Sequence, residues 1–323
     1  PVDITDATGA EAPSPGTGVT TYFLLGGKVQ ADTTGIVFHE GTPYYLEKGV
    51  VGTANFDKKQ LAFDPKWSVW VVLDETGSPM LGSFDGLVSN QYGTWYVNGG
   101  RVDFNATALI EVDKDNEEVT PGTGDAVYYV KGGKVQTDKN GAIYDSAIWQ
   151  AFNVKAGKLA GLDIDKSVVK ASNGKWYAIG DDGLPVQRLS GNAYGIWMPD
   201  PSGVVDFREC GFHVVSEDEA KLSGLNEGDI VYIKGGKLEK DVTGLVTLKD
   251  DTLNESANTG ININDTVYVK NGVECDDAGF KEPTVVLASD GKWYYVDEEG
   301  KVDSGFTGIA KNAYGTWYVT AGK

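Results

Sequence analysis

The sequence has little of what most enzymes and nucleic-acid binders are built from. Its 323 residues contain two cysteines, two histidines and two methionines. Cys210 and Cys275 exclude a dense disulfide framework and leave room for a single bridge, a pairing that sequence does not decide. Neither stands in a Cys-x-x-Cys or Cys/His pattern at zinc-ligand spacing, so no metal is expected. His39 and His213 share no repeat position, and Ser216 near His213 lacks a nucleophile-elbow sequence, so no enzyme activity and no cofactor are expected. No apolar run reaches the roughly 18 residues of a membrane-spanning helix, which argues against membrane insertion. Basic charge is also scarce: 28 Lys and Arg face 47 Asp and Glu, a net charge of −19, with no basic stripe for nucleic acid. Helical pattern is confined to residues 215–222, where Ser216 and Glu219 have the spacing of a capping box on a short helix.

Aromatics and glycine are plentiful: 16 Tyr, 8 Trp and 11 Phe stand among 43 Gly, a mixture that favours strands and tight turns. Self-comparison finds the pattern N-x-Y-G-x-W three times, at Asn90 to Trp95, Asn192 to Trp197 and Asn312 to Trp317. Gly-Gly-Lys followed by Val or Leu occurs at Gly26, Gly132 and Gly235, and Lys-Trp at Lys66, Lys175 and Lys292, in the same order within each copy. The fold expected is all-β: tandem short β-hairpins in a solenoid-like or multi-domain array of three repeats of about 100 residues. Each copy subdivides into hairpin units of roughly 20 to 25 residues; in the first copy the turns centre on Gly26-Gly27, Lys48-Gly49, Thr76-Gly77 and Gly99-Gly100. Gly-Gly fits a type I′ turn, which needs positive φ at both central residues.

The expected division is a flexible linker over residues 1–18, then repeat units at 19–119, 120–222 and 223–323. The last unit stops in mid-pattern, as a piece of a longer protein would. The acidic Pro-Gly stretch at 113–124 reads as a connector, and its Asp113, Asp115 and Glu117 as solvated acids instead of a calcium loop. In the second copy Met198-Pro199-Asp200-Pro201 is expected to form a wider, exposed loop.

The segment Ser289-Asp290-Gly291-Lys292-Trp293-Tyr294-Tyr295-Val296 resembles the Gram-positive cell-wall-binding repeats of choline-binding and glucan-binding proteins. Residues 86–104 and 308–319 resemble the related Y-G-x-W-Y-V-x-x-G-K-V-D-F repeats of surface proteins of Gram-positive gut bacteria. The resemblance implies stacked hairpins that anchor or display a secreted protein at the cell surface. In the choline-binding family, aromatics of adjacent hairpins cage a quaternary ammonium through the negative faces of their rings. The matching positions are Trp293, Tyr294 and Tyr295, with Trp176 and Tyr177 in the second copy. Where that family carries a Trp after the Thr-Gly opening a unit, this chain has Ile36, Leu245 and Ile309.

Trp95 with Tyr96, and Trp317 with Tyr318, either pack the hairpins together or stack on sugars or a partner protein. The function expected is therefore non-enzymatic adhesion, with a cell-wall polymer or glycan as partner. Alternatives are an adhesin or superantigen-like protein that binds a host protein such as an immunoglobulin, and a structural stalk.

Overall fold

Glycine where a chain must reverse, and aromatic or β-branched residues on either side, make hairpins the cheapest local solution for this sequence. The computed structural model describes residues 2–4, 20–113, 117–119 and 124–323. Most of the expected linker at 1–18, and the core of the acidic connector with its Asp115, lie outside the described residues. Val2–Ile4 is a strand, antiparallel to Thr20–Tyr22.

Among the described residues the only helical pieces are two short 3-10 turns, Ile164–Lys166 and Glu219–Lys221, and the single α-turn Ser256–Thr259. All other regular structure is short antiparallel strands, in several sheets of which none closes into a barrel. The fold is all-β and built from repeated hairpins, as the sequence leads one to expect.

The chain divides into two compact units, residues 1–140 with 154–159 and residues 141–153 with 160–323. In the first, Gly35–His39 pairs with Thr42–Glu47, Gln60–Asp64 with Val69–Leu73, Gly86–Asn90 with Gly93–Asn98, and Thr107–Val112 with Ala126–Lys131. In the second, Val168–Lys170 pairs with Trp176–Ala178, Ser190–Asn192 with Gly195–Trp197, and Cys210–Val214 with Ile230–Lys234. Gly244–Thr247 with Thr266–Lys270, Thr284–Leu287 with Trp293–Val296, and Gly308–Asn312 with Gly315–Val319 complete it.

A glycine turn and a two-residue return strand follow many of these hairpins, so the aromatic strand becomes the middle of three: Val97 faces Gly86 on one side and Val102 on the other. The Gly-Gly turns have positive φ at both residues, for example +61° at Gly235 and +70° at Gly236, between the partners Lys234 and Lys237.

One bond joins each hairpin to the next. The backbone N–H of Tyr96 donates to the carbonyl of Gly133 at 2.8 Å, and that of Met198 to Gly236 at 2.8 Å, each acceptor being the second glycine of the following turn. The same bond recurs from Val72 to Gly100, Tyr232 to Gly272 and Tyr295 to Gly322. These turns lie against the preceding connection so closely that a β-carbon at Gly236 would sit 2.6 Å from the Asp206 carbonyl oxygen. Apolar burial is correspondingly local. Val72, Phe84, Val88 and Val97 form one small core, and Phe212, Val246, Leu248, Ile261 and Val269 another.

The sequence leaves the state of the cysteines open, and two of its expectations need correction. Cys210 and Cys275 are free thiols, with Sγ atoms 3.4 Å from the Asp250 carbonyl and 3.1 Å from the Asp277 carbonyl. The segment after Trp197 is a tight turn and not a wide loop, because Asp200 Oδ1 accepts bonds from the Ser202 N–H, the Ser202 hydroxyl and the Val204 N–H. At 215–222 the Glu219 carboxylate reaches back to the Ser216 N–H at 2.8 Å, as in a capping box, but it also takes the Ser216 hydroxyl at 2.9 Å, and the helix is a single 3-10 turn, Glu219–Lys221.

Candidate functional site

The N-x-Y-G-x-W pattern has a single mechanical explanation in all three copies. The Asn side chain accepts a bond from the backbone N–H two residues on, that of Tyr92, Tyr194 or Tyr314, at 2.8, 2.8 and 2.9 Å. The same oxygen accepts the indole N–H of Trp95, Trp197 or Trp317 at 3.1, 3.0 and 2.9 Å. Asn90, Asn192 and Asn312 thus fix the turn, as Asx side chains do, and orient the indole beside it. In the second and third copies the Asn amide also donates to the preceding hairpin, at Val168 O and Val285 O.

The turn Tyr then meets a Trp from that preceding hairpin edge to face. Trp70 and Tyr92 are 6.0 Å apart at 69°, Trp176 and Tyr194 6.1 Å at 83°, Trp293 and Tyr314 5.8 Å at 71°. The result is a triad of Trp, Tyr and Trp from consecutive hairpins, repeated three times. The third is the most open: Trp293, Tyr314 and Trp317 are 37%, 80% and 45% exposed, and the two indoles lie nearly parallel, 6.2 Å apart at 16°.

The residues singled out in the sequence fall into distinct places. Trp293, Trp317, Trp176 and Trp95 belong to triads, and Tyr318 is exposed beside the third. Tyr177 and Tyr294 are buried, with hydroxyls held by Asn173 and Asp290 at 2.9 Å each. Tyr295 stacks on Phe306 at 3.7 Å, and Tyr96 packs against the core around Leu87 and Val130. Sequence reading took Trp197, the three turn tyrosines and the three asparagines as parts of the repeat without assigning them to a site, and passed over Trp70. The signal for all but Trp70 was present, since Asn, Tyr and the second Trp recur unchanged in the repeat.

A second constellation lies inside the second unit. His213 is buried, its Nδ1 2.8 Å from Glu255 Oε1 and its Nε2 2.9 Å from Glu219 Oε2. Burial by itself pushes the His213 pKa down, but the bonds to Glu219 and then Glu255 outweigh it and raise the value to about 9. Burial likewise pushes Glu219 up, and the His213 hydrogen bond, the imidazolium charge and donors at Ser216 and Leu189 bring it to about 2. The imidazole carries its proton with both nitrogens engaged, so it has no lone pair to offer as a base. No group of acidic, His and Cys side chains among the described residues is arranged to hold a metal ion.

Short antiparallel hairpins with recurrent aromatic clusters define a hairpin-repeat protein. Residues 32–51, 83–103 and 305–323 match the family model of the choline-binding repeat, each match covering one hairpin. The second and third matches contain Tyr92 with Trp95 and Tyr314 with Trp317. No curated protein sequence matches the chain.

Among solved structures it is similar to CbpJ from Streptococcus pneumoniae TIGR4, with 15% identity and a TM-score of 0.28 over 92% of this chain and 97% of that one. CbpF in complex with ipratropium shows 14% identity and a TM-score of 0.25, over 89% and 100% of the respective chains. Alternansucrase in complex with isomaltononaose shows 15% identity and a TM-score of 0.27; 81% of this chain is covered, and the match spans 16% of the enzyme. Scores this low do not establish a common arrangement of hairpins. No helix among the described residues is long and apolar enough to cross a membrane.

Proposed function

We propose that the chain is a non-enzymatic module of a Gram-positive cell-surface protein that binds choline-bearing cell-wall polymer through its Trp–Tyr–Trp triads. The observation that carries this reading is the third triad, where Trp293 meets Tyr314 edge to face and lies nearly parallel to Trp317, with all three rings partly open to solvent. Ring faces attract a quaternary ammonium electrostatically while its methyl groups make apolar contact. The acidic surface, at net −19, favours cations over polyanions in general. Repetition along a polymer gains avidity from weak individual sites. The ionisable cluster at His213 is engaged with itself, which supports a binding role over a catalytic one. No feature of the described residues favours an immunoglobulin partner or a stalk.

The reading is tested by retention on a choline-substituted matrix and by tryptophan fluorescence titration with choline chloride. Wild-type protein is expected to bind and to elute with free choline. Trp317→Leu removes a ring worth ~1–2 kcal/mol in a desolvated cation–π contact and should weaken the third site about five- to thirty-fold. Failure of the wild type to bind choline, with retention on immobilised glucan, would replace the proposal by a glycan-binding one; retention on neither matrix ends both.

A further inference from the structure

The first two triads share a further contact. Each hairpin that follows them places the lysine of its Gly-Gly-Lys turn against the second indole. Trp95 and Lys134 are partners in the bridge between successive hairpins, and so are Trp197 and Lys237. The ammonium lies over the ring in both, at 5.6 Å from the centroid.

The route of the side chain explains the glycine of Y-G-x-W. Gly93 and Gly195 have φ of +137° and +146°, and a β-carbon on them would meet the lysine Cε at 2.4 and 2.5 Å respectively. The lysine stem therefore passes directly over the glycine, and its charged end rests on the second indole of the triad. A phenylalanine from the same connection, Phe104 or Phe207, closes the other side of the indole edge to face at 5.5 and 5.8 Å. Neither lysine forms an ion pair among the described residues, so its ammonium is not drawn toward a carboxylate instead.

We infer that Lys134 and Lys237 are the resident cations of the first and second triads, and that they close those triads to an external quaternary ammonium. The inference rests on the proposed choline-binding role of the triads and adds to it a rule of occupancy. A second indole that meets a lysine across the inter-hairpin bridge has that ring face occupied and serves to join hairpins. The same bridge geometry at Tyr128 and Lys158, 6.0 Å apart and outside any triad, shows the joining role by itself.

Two measurements on the whole chain test this. In wild-type protein the ε-methylene protons of Lys134 and Lys237 should be shifted upfield of the other lysines by the indole ring current, and Trp95→Leu or Trp197→Leu should abolish the shift of its own partner. In calorimetric titration with choline chloride, the Lys134→Ala/Lys237→Ala variant should bind choline at about two more sites per chain than the wild type. Either no gain of sites in the variant or lysine resonances at ordinary positions overturn the inference. If no protein binds choline but the upfield shifts are present, the functional reading fails and the lysine contacts stand as hairpin joints alone.

Discussion

Replacing Gly236 by alanine is expected to destabilise the second unit by about 3–5 kcal/mol, against about 1–2 kcal/mol for the same change at Gly235. Both residues lie at positive φ, so alanine strains the backbone equally at each. What separates them is space. A β-carbon at Gly235 has nothing nearer than the Phe207 carbonyl oxygen at 3.5 Å, whereas at Gly236 it would lie 2.6 Å from the Asp206 carbonyl oxygen. Relief requires the turn to move away from that connection, which breaks the bond from the Met198 N–H to the Gly236 carbonyl. Urea unfolding followed by tryptophan fluorescence checks this: the Gly236→Ala midpoint should fall well below that of Gly235→Ala. Equal midpoints would mean that inter-hairpin contact contributes nothing at this glycine.

The second large effect concerns His213. Removing Glu219 with Glu219→Ala leaves a buried imidazolium with one of its two carboxylates and withdraws the acceptor from Ser216 and the Leu189 N–H. Breaking a buried pair of this kind costs about 3–5 kcal/mol.

The pH dependence has a definite sign. The folded-state pKa of His213, about 9, lies above its ordinary 6.5, so its contribution is full below 6.5 and is lost as the pH rises through 9. Glu219, lowered from 4.5 to about 2, contributes fully above 4.5 and loses that contribution as the pH falls through 2. Melting temperature should therefore be greatest between pH 4.5 and 6.5 as far as this cluster is concerned, and decline toward pH 9. In His213→Gln the alkaline decline should flatten. A wild type whose melting temperature is unchanged between pH 6.5 and 9 would falsify the charged, doubly bound imidazolium.

The hairpins were legible because their cause is local. Gly99-Gly100 or Gly235-Gly236 between strand-forming residues determines a turn whatever lies elsewhere in the chain. The triads were half legible for the same reason. Asn312 and Trp317 are five residues apart and visibly repeated, but Trp293 reaches Tyr314 only through the packing of one hairpin on the next. The lysines were seen as markers without their partners, because the bridge between Trp95 and Lys134 spans an intervening hairpin. Tyr177 and Tyr294 shared the W-Y signature with exposed neighbours, and strand alternation alone did not tell which ring turns inward. Glu219 was read as a helix cap, since His213 and Glu255 meet across 42 residues with no periodic pattern to announce it.

The bond from one strand to the next turn glycine also bears on how such a chain can change its length. Because each hairpin is held mainly by its immediate neighbours, a gene segment encoding one of them can be duplicated or deleted without redesigning a distant core. The two new junctions need only a free N–H after the aromatic strand and a glycine in the incoming turn. Growth by copying is then nearly neutral for folding, and selection can act on whether the incoming turn brings a lysine with it.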